Sequence, residues 1–243
     1  MADLRFENLV KHFGGVHALD GVSGHVGEGE ILGLVGPNGS GKSTLINVLS
    51  GHYDADDGTI VLDGEDITNR PAHRIIEMGV ARTYQIPRPF STMTALENVS
   101  VPLMFGAEPK SPVTAREAAY EWLEFTGLDA YADQPVSNLN LHQLKYLELA
   151  RALAARPRLV FLDEVLSGLN PAEVNESIEM VRRIHASGIT IVIVEHLVRV
   201  VTSLATRIMV LDRGKVIADG EPTEVMRQPE VVTAYLGKRA HSA

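Results

Sequence analysis

The chain has 243 residues, enough for one large domain or two small ones with a sizeable core. Its formal net charge of −9 argues against a general nucleic-acid binder, which normally has a basic surface, so no nucleic-acid partner is expected. It has no cysteine, no basic and apolar N-terminal signal, and no apolar run near the roughly 20 residues of a membrane span. These features predict a cytoplasmic protein.

The N-terminal third contains strand-like segments at residues 4–7, 31–35 and 59–62. Asp63 and Gly64 follow the third segment and are a strong hairpin signal. We therefore predict antiparallel hairpins in this third of the chain, next to a buried strand at residues 31–35.

Residues 36–44 match the phosphate-binding pattern G-x-x-x-x-G-K-[ST] at every fixed position. Glycines let the backbone N–H groups of such a loop converge on phosphate oxygens, and the N-terminus of the helix that follows favours anions. Lys42 supplies charge for the β- and γ-phosphates, and the Ser43 hydroxyl is a natural Mg²⁺ ligand. The alternative is a chance glycine-rich turn, which the strand before the loop disfavours. The predicted nucleotide-binding residues here are Gly36, Asn38, Gly39, Ser40, Gly41, Lys42, Ser43 and Thr44.

Helical patterns replace the strand-like ones from about residue 86 to residue 155, for example at residues 115–125 and 144–154. Prolines mark the joints of this region, because each disfavours helix at the residue before it. We predict a helical subdomain inserted in an α/β core.

Strand-like runs return at residues 159–162, 189–194 and 208–211. Between the first two, Asn170 and Pro171 have the chemistry of a helix N-terminus, with a capping side chain followed by proline at the first helical position. Strand, helix and strand in this order predict a parallel sheet.

Two adjacent carboxylates, Asp163 and Glu164, follow the run at residues 159–162, at the sheet edge where ligands collect in α/β folds. Because neighbouring strand residues point to opposite faces, the two acids should have different roles. Asp163 can hold the Mg²⁺ shell, and Glu164 can orient, or accept a proton from, the water that attacks the γ-phosphate. An ordinary acidic strand end is the alternative, which the phosphate loop disfavours.

Over nearly its full length the chain resembles the ATP-binding subunit of an ABC transporter. The resemblance implies a P-loop NTPase (ABC ATPase) α/β core with an N-terminal antiparallel β subdomain and an inserted helical subdomain. It implies that Phe13 stacks on adenine, with a core phenylalanine as the alternative. It also implies that Gln85 contacts Mg²⁺ and the attacking water, and that His196 contacts the γ-phosphate. ATP and Mg²⁺ are the implied cofactors.

The predicted organisation is a single cassette spanning residues 1–243. Its α/β catalytic core would comprise residues 1–85 and 156–220, its helical signature subdomain residues 86–155, and its C-terminal helical tail residues 221–243.

The chain departs from the family pattern at the signature Leu-Ser-Gly-Gly-Gln, where it has Leu139-Asn140-Leu141-His142-Gln143. Asn140 can still donate a hydrogen bond, but Leu141 and His142 place side chains where close backbone approach needs glycine. We interpret Asn140, Leu141, His142 and Gln143, below called the signature segment, as a degenerate partner-site signature with a weakened phosphate grip.

The family places each ATP between the phosphate loop of one subunit and the signature of another. A second ABC ATPase subunit, expected to be non-identical and to have an intact signature, is therefore implied; whether the isolated chain homodimerises is left open. Residues 167–170 resemble the loop that crosses to this subunit. Two transmembrane permeases and, indirectly, a periplasmic or extracellular solute-binding protein are also implied, with the cassette peripheral on the inner face of the cell membrane.

Within the family the chain is similar to uptake ATPases for branched-chain amino acids and related solutes, in motifs that include Glu195-His196 and the ending at residues 229–237. The implied function is ATP hydrolysis that energises an importer. One alternative is a non-transport ABC ATPase of DNA repair or translation, which normally has coiled-coil insertions, a second cassette or basic surfaces. A P-loop kinase of a small metabolite is the other, which the set of Gln85, Glu164 and His196 disfavours.

Overall fold

Two β-sheets and a group of helices make up the computed structural model, which describes residues 2–106 and 108–236. In chain order the elements are β1 (Leu4–Phe13), β2 (Val16–Val26), β3 (Ile31–Val35), α1 (Lys42–Leu49), β4 (Asp57–Leu62), β5 (Glu65–Asp66), α2 (Ala72–Glu77), β6 (Val80–Arg82), α3 (Ala95–Phe105), α4 (Pro112–Phe125), α5 (Leu141–Ala154), β7 (Leu159–Asp163), α6 (Pro171–Ala186), β8 (Thr190–Val194), α7 (Val198–Leu204), β9 (Arg207–Asp212), β10 (Lys215–Gly220), α8 (Pro222–Val225) and α9 (Pro229–Leu236). Short 3-10 helices lie at Asp129–Tyr131 and Val136–Asn138.

The smaller sheet is antiparallel and has the strand order β2-β1-β4-β5. The hairpin predicted at Asp63 and Gly64 joins β4 to β5, and both residues have positive φ, of 52° and 84°. Strand β1 is longer than the predicted segment at residues 4–7, because it continues to Phe13 in a bulged pairing with β2. Most side chains of β2 are exposed, so this strand lacks the apolar signal of a buried one.

The larger sheet has the order β10-β9-β3-β8-β7-β6, in which β3 pairs in parallel with β8 and β9, and β7 with β6 and β8. This arrangement confirms the predicted parallel sheet. Every residue of β3, β7 and β8 is buried, as expected for strands covered on both faces. Leu32 and Leu34 pack into the core shared with the smaller sheet, whereas Ile31 and Val35 pack on the other side with buried residues of α6 and α7.

Helices α3, α4 and α5 enclose a separate apolar core, with Leu96, Val99, Leu123 and Leu147 among its buried members. The patterns at residues 115–125 and 144–154 correspond to α4 and α5, whereas α3 was not identified from the sequence. Pro102 lies inside α3, where proline interrupts a helical pattern. Among the described residues, no helix combines the length and apolar character needed to cross a bilayer.

Helices α8 and α9 occupy the described part of the tail predicted at residues 221–243. Gly237, the last residue of the ending noted in the sequence, and the residues after it lie outside the described part of the chain.

The carboxyl ends of the parallel strands lie at one edge of the larger sheet, where ligands collect in α/β folds. Strand β3 leads there into the phosphate loop and β6 into the segment that contains Gln85. At the same edge β7 ends at Asp163, and β8 ends just before Glu195 and His196. Residues far apart in the sequence are thereby brought together.

Candidate functional site

The loop after β3 has the backbone geometry that the glycine pattern predicts. Gly36 and Gly41 have φ values of 150° and 109°, and a Cβ atom on either would overlap a carbonyl oxygen, that of Leu211 and that of Ala18 respectively. Only glycine fits at these two positions. The Ser40 hydroxyl oxygen is buried and has no hydrogen-bond partner within the described residues, so the loop has free hydrogen-bonding capacity of the kind that a phosphate oxygen can use.

Lys42 is the first residue of α1, and its Nζ donates to the backbone oxygens of Gly36 and Pro37, at 2.8 Å and 3.0 Å. Burial lowers the pKa of this ammonium group, while the nearby carboxylates of Glu164 and Asp163 act in the opposite direction. The lysine therefore lies between the loop that would hold phosphate and the two acids.

A cleft of about 480 Å³ opens over the phosphate loop and brings together most of the residues predicted for the site. It is lined by Val16, His17, Ala18, Asn38, Gly39, Ser40, Gly41, Lys42, Ser43, Thr44, Gln85, Glu164 and His196. The loop and the three residues predicted to act on water and on the γ-phosphate thus share one cavity.

Both carboxylate oxygens of Glu164 are engaged at this cleft. Gln85 donates from Nε2 to one of them at 2.5 Å, and Nε2 of His196 lies 2.6 Å from the other. The glutamate side chain is only 10% exposed and that of the histidine 48%, so the group opens to solvent on the histidine side. A carboxylate held between an amide and an imidazole is well placed to orient a water molecule or to accept its proton.

Asp163 has different partners from Glu164 and forms a buried ion pair with Arg82. The guanidinium donates to Oδ2 at 2.8 Å, and both side chains are 8% exposed. Arg82 also donates to Oδ1 of Asn47 at 2.6 Å, and its guanidinium lies over the Tyr84 ring. The sequence assigned no role to Arg82, because its contact with Asp163 depends on the pairing of β6 with β7.

Phe13 lies at the end of β1, paired with Val16, which lines the cleft. Its ring is 45% exposed and contacts Tyr53 edge-on, with centroids 5.4 Å apart. The Nζ of Lys11 lies 5.7 Å from the ring centroid. The phenylalanine is therefore a surface residue at the rim of the site, unlike the core phenylalanine that was the alternative.

Two buried glutamates next to the site were assigned no role from the sequence. Burial raises the pKa of Glu195 to about 7, and this side chain accepts a hydrogen bond from the Leu166 N–H at 2.7 Å. Burial also raises the pKa of Glu148 to about 7, and this carboxylate accepts from the Tyr84 N–H at 2.9 Å. Both groups hold backbone segments that flank the site.

The signature segment begins helix α5. Asn140 and Gln143 form a reciprocal capping box, in which each side-chain oxygen accepts the other's backbone N–H at 2.9 Å. Leu141 is 47% exposed, and the His142 ring packs on Tyr146 with centroids 4.3 Å apart. Side chains thus cover the start of the helix, where the family signature has glycines.

Comparison with known proteins places these features in a family. The family model described as ABC transporter matches residues 19–167, and that described as branched-chain amino acid ATP-binding cassette transporter matches residues 215–241. The chain is 39% identical to the probable branched-chain amino acid transport ATP-binding protein LivG of Archaeoglobus fulgidus, over 98% of this chain and 96% of that protein. It is 36% identical to the high-affinity branched-chain amino acid transport ATP-binding protein BraF of Pseudomonas aeruginosa, over 97% and 98% of the two chains.

Solved structures agree. The ADP conformation of an ATP-binding cassette of an ABC transporter superimposes with a TM-score of 0.87 at 36% identity, covering 98% of this chain and all of that one. A dimeric ATP-binding cassette in a post-hydrolysis state, bound to ADP and Pi, gives a TM-score of 0.82 at 25% identity over 90% and 98% of the two chains. These similarities confirm the predicted fold class. The chain belongs to the ABC transporter family, as one of its nucleotide-binding, ATP-hydrolysing cassettes.

Proposed function

We propose that this chain binds and hydrolyses ATP to drive an ABC importer of branched-chain amino acids or a related small solute. The observation that carries the mechanism is Glu164, held between Gln85 and His196 over the phosphate loop. The substrate class rests on the names of the relatives and on the family match in the C-terminal region.

In this proposal the phosphate loop grips the phosphates through its backbone and Lys42, and Ser43, Asp163 and Gln85 hold Mg²⁺. The donor set fits a hard cation, since it consists of a hydroxyl, a carboxylate and an amide oxygen. Mg²⁺ supplies charge neutralisation for the phosphates. Arg82 holds the carboxylate of Asp163 in place through the buried pair.

Glu164 orients the attacking water and accepts its proton, and His196 contacts the γ-phosphate. Both roles fit their position in the cleft and their mutual contact at 2.6 Å. Phe13 offers an exposed ring face at the rim, which suits stacking on adenine. The proposed cassette has its core at residues 1–85 and 156–220, with helices α3 to α5 in the signature subdomain.

The signature segment points to a non-identical ATPase partner. Asn140 and Gln143 cap α5, and the side chains of Leu141 and His142 prevent the close approach to the backbone that glycine would allow. This chain's own ATP is expected to be hydrolysed when a partner supplies an intact signature. The partner's ATP, facing this segment, should turn over slowly.

We place the permease contact at a groove of about 340 Å³ beside the segment that follows Gln85. Its lining is largely apolar and includes Ile75, Ile76, Tyr84, Arg88, Val101 and Pro102. Such a groove suits a short amphipathic segment of a membrane subunit. The cassette would then be peripheral on the inner face of the cell membrane, and a solute-binding protein would act indirectly.

Glu164→Gln tests the proposal. The variant keeps the side-chain volume and one hydrogen-bond acceptor, so ATP affinity should stay within about twofold while phosphate release falls by about 10²–10⁴-fold. Binding of a fluorescent ATP analogue and release of inorganic phosphate measure the two quantities. Glu176→Gln, at an exposed position on α6, is a matched control that should hydrolyse ATP at the wild-type rate. Full activity of Glu164→Gln, or phosphoryl transfer to an acceptor in place of water, would refute the assignment.

A further inference from the structure

A buried lysine connects helix α5, which begins at the signature segment, to the loop that follows β7. Lys145 lies on α5, five positions after Asn140, and is 6% exposed. Its Nζ donates to the backbone oxygens of Glu164, at 3.1 Å, and Ser167, at 2.5 Å. The two carbonyls bracket the turn that follows β7, which the Ser167 N–H closes on the Glu164 oxygen at 3.2 Å.

The backbone of Glu164 needs such support. This residue has φ of 50°, in the left-handed region that non-glycine residues adopt only when their surroundings hold them there. Its N–H donates to the Val194 oxygen at 2.9 Å, which fixes one side of the residue to strand β8. The Lys145 ammonium fixes the other side, at the carbonyl. The side chain that faces the cleft therefore depends on an anchor from α5.

The groups around Lys145 favour a charged ammonium that holds the backbone in place. Carboxylates of Glu195, Glu164 and Glu148 lie near enough to raise its pKa, although burial is the larger effect and lowers it. A buried ammonium bonded to two carbonyls makes charge-assisted hydrogen bonds, which are stronger than neutral ones.

A second contact joins the same two segments. Cδ2 of Leu141 lies 3.3 Å from the position that a Cβ atom on Gly168 would take, so the first residue of α5 lies beside the loop that follows Glu164. The start of α5 and residues 164–168 are thus adjacent at two points.

We propose that Lys145 is a positioning residue that holds Glu164, and the loop after it, at a position set by helix α5. The inference rests on the proposed function, in which Glu164 acts on this chain's ATP and the signature segment faces the partner's ATP. Lys145 then links the two nucleotide sites of the dimer within one subunit. A displacement of the signature segment reaches Glu164 through one side chain.

Lys145→Met in the full chain tests this role, because methionine keeps an apolar stem and removes the donors. The phosphate loop is untouched, so affinity for a fluorescent ATP analogue should stay within about twofold. Hydrolysis of MgATP in a single turnover should fall at least about tenfold, the scale of a lost charge-assisted hydrogen bond. Amide hydrogen exchange over residues 164–169 should accelerate by a similar factor without nucleotide. Lys145→Arg keeps a cationic donor and should restore most of both properties.

Leu123→Ala, in the core of the helical region, is the stability control: it should lower the melting temperature while hydrolysis and exchange at residues 164–169 stay at wild-type levels. Should Lys145→Met not fold, Lys145→Gln takes its place under the same criteria. Unchanged hydrolysis or unchanged exchange overturns the inference, as does a Lys145→Arg chain no better than Lys145→Met. The exchange measurement does not depend on ATP, so a wild-type chain that hydrolyses none even with a partner ATPase of intact signature would contradict the proposed function alone.

Discussion

Removing Arg82 is expected to expose the energetic cost of the buried acid at the end of β7. In Arg82→Met the apolar stem remains, but Asp163 loses the guanidinium that lies 2.8 Å away. Because both side chains are 8% exposed, solvent cannot replace the missing charge. The hydrogen bond to Asn47 is lost as well.

The size of the effect follows from these contacts. Breaking a buried ion pair by removing one partner costs about 3–5 kcal/mol, mostly because the other charge is left uncompensated. In Arg82→Met/Asp163→Asn that charge is gone, and the remaining loss is the hydrogen bond to Asn47, worth about 1 kcal/mol. The double variant should therefore be more stable than Arg82→Met alone by about 2 kcal/mol or more.

Urea unfolding of the full chain, followed by far-UV circular dichroism, measures the free energy of unfolding for the wild type, both single variants and the double variant. If the losses of unfolding free energy in the two single variants add up to that of the double variant within about 0.5 kcal/mol, the two side chains behave as independent sites and the reasoning is refuted.

Three further predictions concern pH, the loop and a helix cap. Because burial raises the folded pKa of Glu148 to about 7 from an unfolded value near 4.5, its contribution is fully present below pH 4.5 and is lost as pH rises through 7. Glu148→Gln should remove that decline, on the order of 3 kcal/mol, from the pH profile of unfolding; an unchanged profile would contradict the buried, protonated state. Gly36→Ala should abolish binding of the ATP analogue, whereas Gly39→Ala, which is strained by a φ of 75° but meets no atom within 4 Å, should reduce binding less; equal loss would show that overlap is not the cause. Asn170→Ala should cost about 1 kcal/mol of unfolding free energy because it removes the cap of α6, and Asn170→Asp should restore it; a neutral Asn170→Ala would show that the cap is dispensable.

Local patterns made much of the site predictable. The phosphate loop, the acids at the end of β7 and the cap of α6 are each specified within about ten neighbouring residues, where spacing and residue type carry the information. Gln85 and His196 needed the family resemblance, because nothing around either residue alone distinguishes it from a surface side chain.

Contacts between distant segments were not predictable in the same way. Arg82 and Asp163 meet because β6 and β7 are neighbours in the sheet, and Lys145 reaches Glu164 because α5 packs beside β7. Strand order and helix packing fix these pairs, and neither can be read from periodicity. Strand β2 was not predicted for a different reason, since it is stabilised by pairing with β1 while most of its side chains face solvent.

The order of strands in the larger sheet has a consequence for synthesis. Strand β8 lies between β3 and β7, although both are translated before it. A growing chain that has not reached residue 190 thus has a phosphate loop, but no Val194 carbonyl to hold Glu164 and no His196 beside it. Until β8 and β9 arrive, β3 also has two unpaired edges, which favour aggregation. Pairing of β8 and β9 with β3 therefore completes the sheet and the hydrolytic site together, so that a partly made chain lacks ATPase activity.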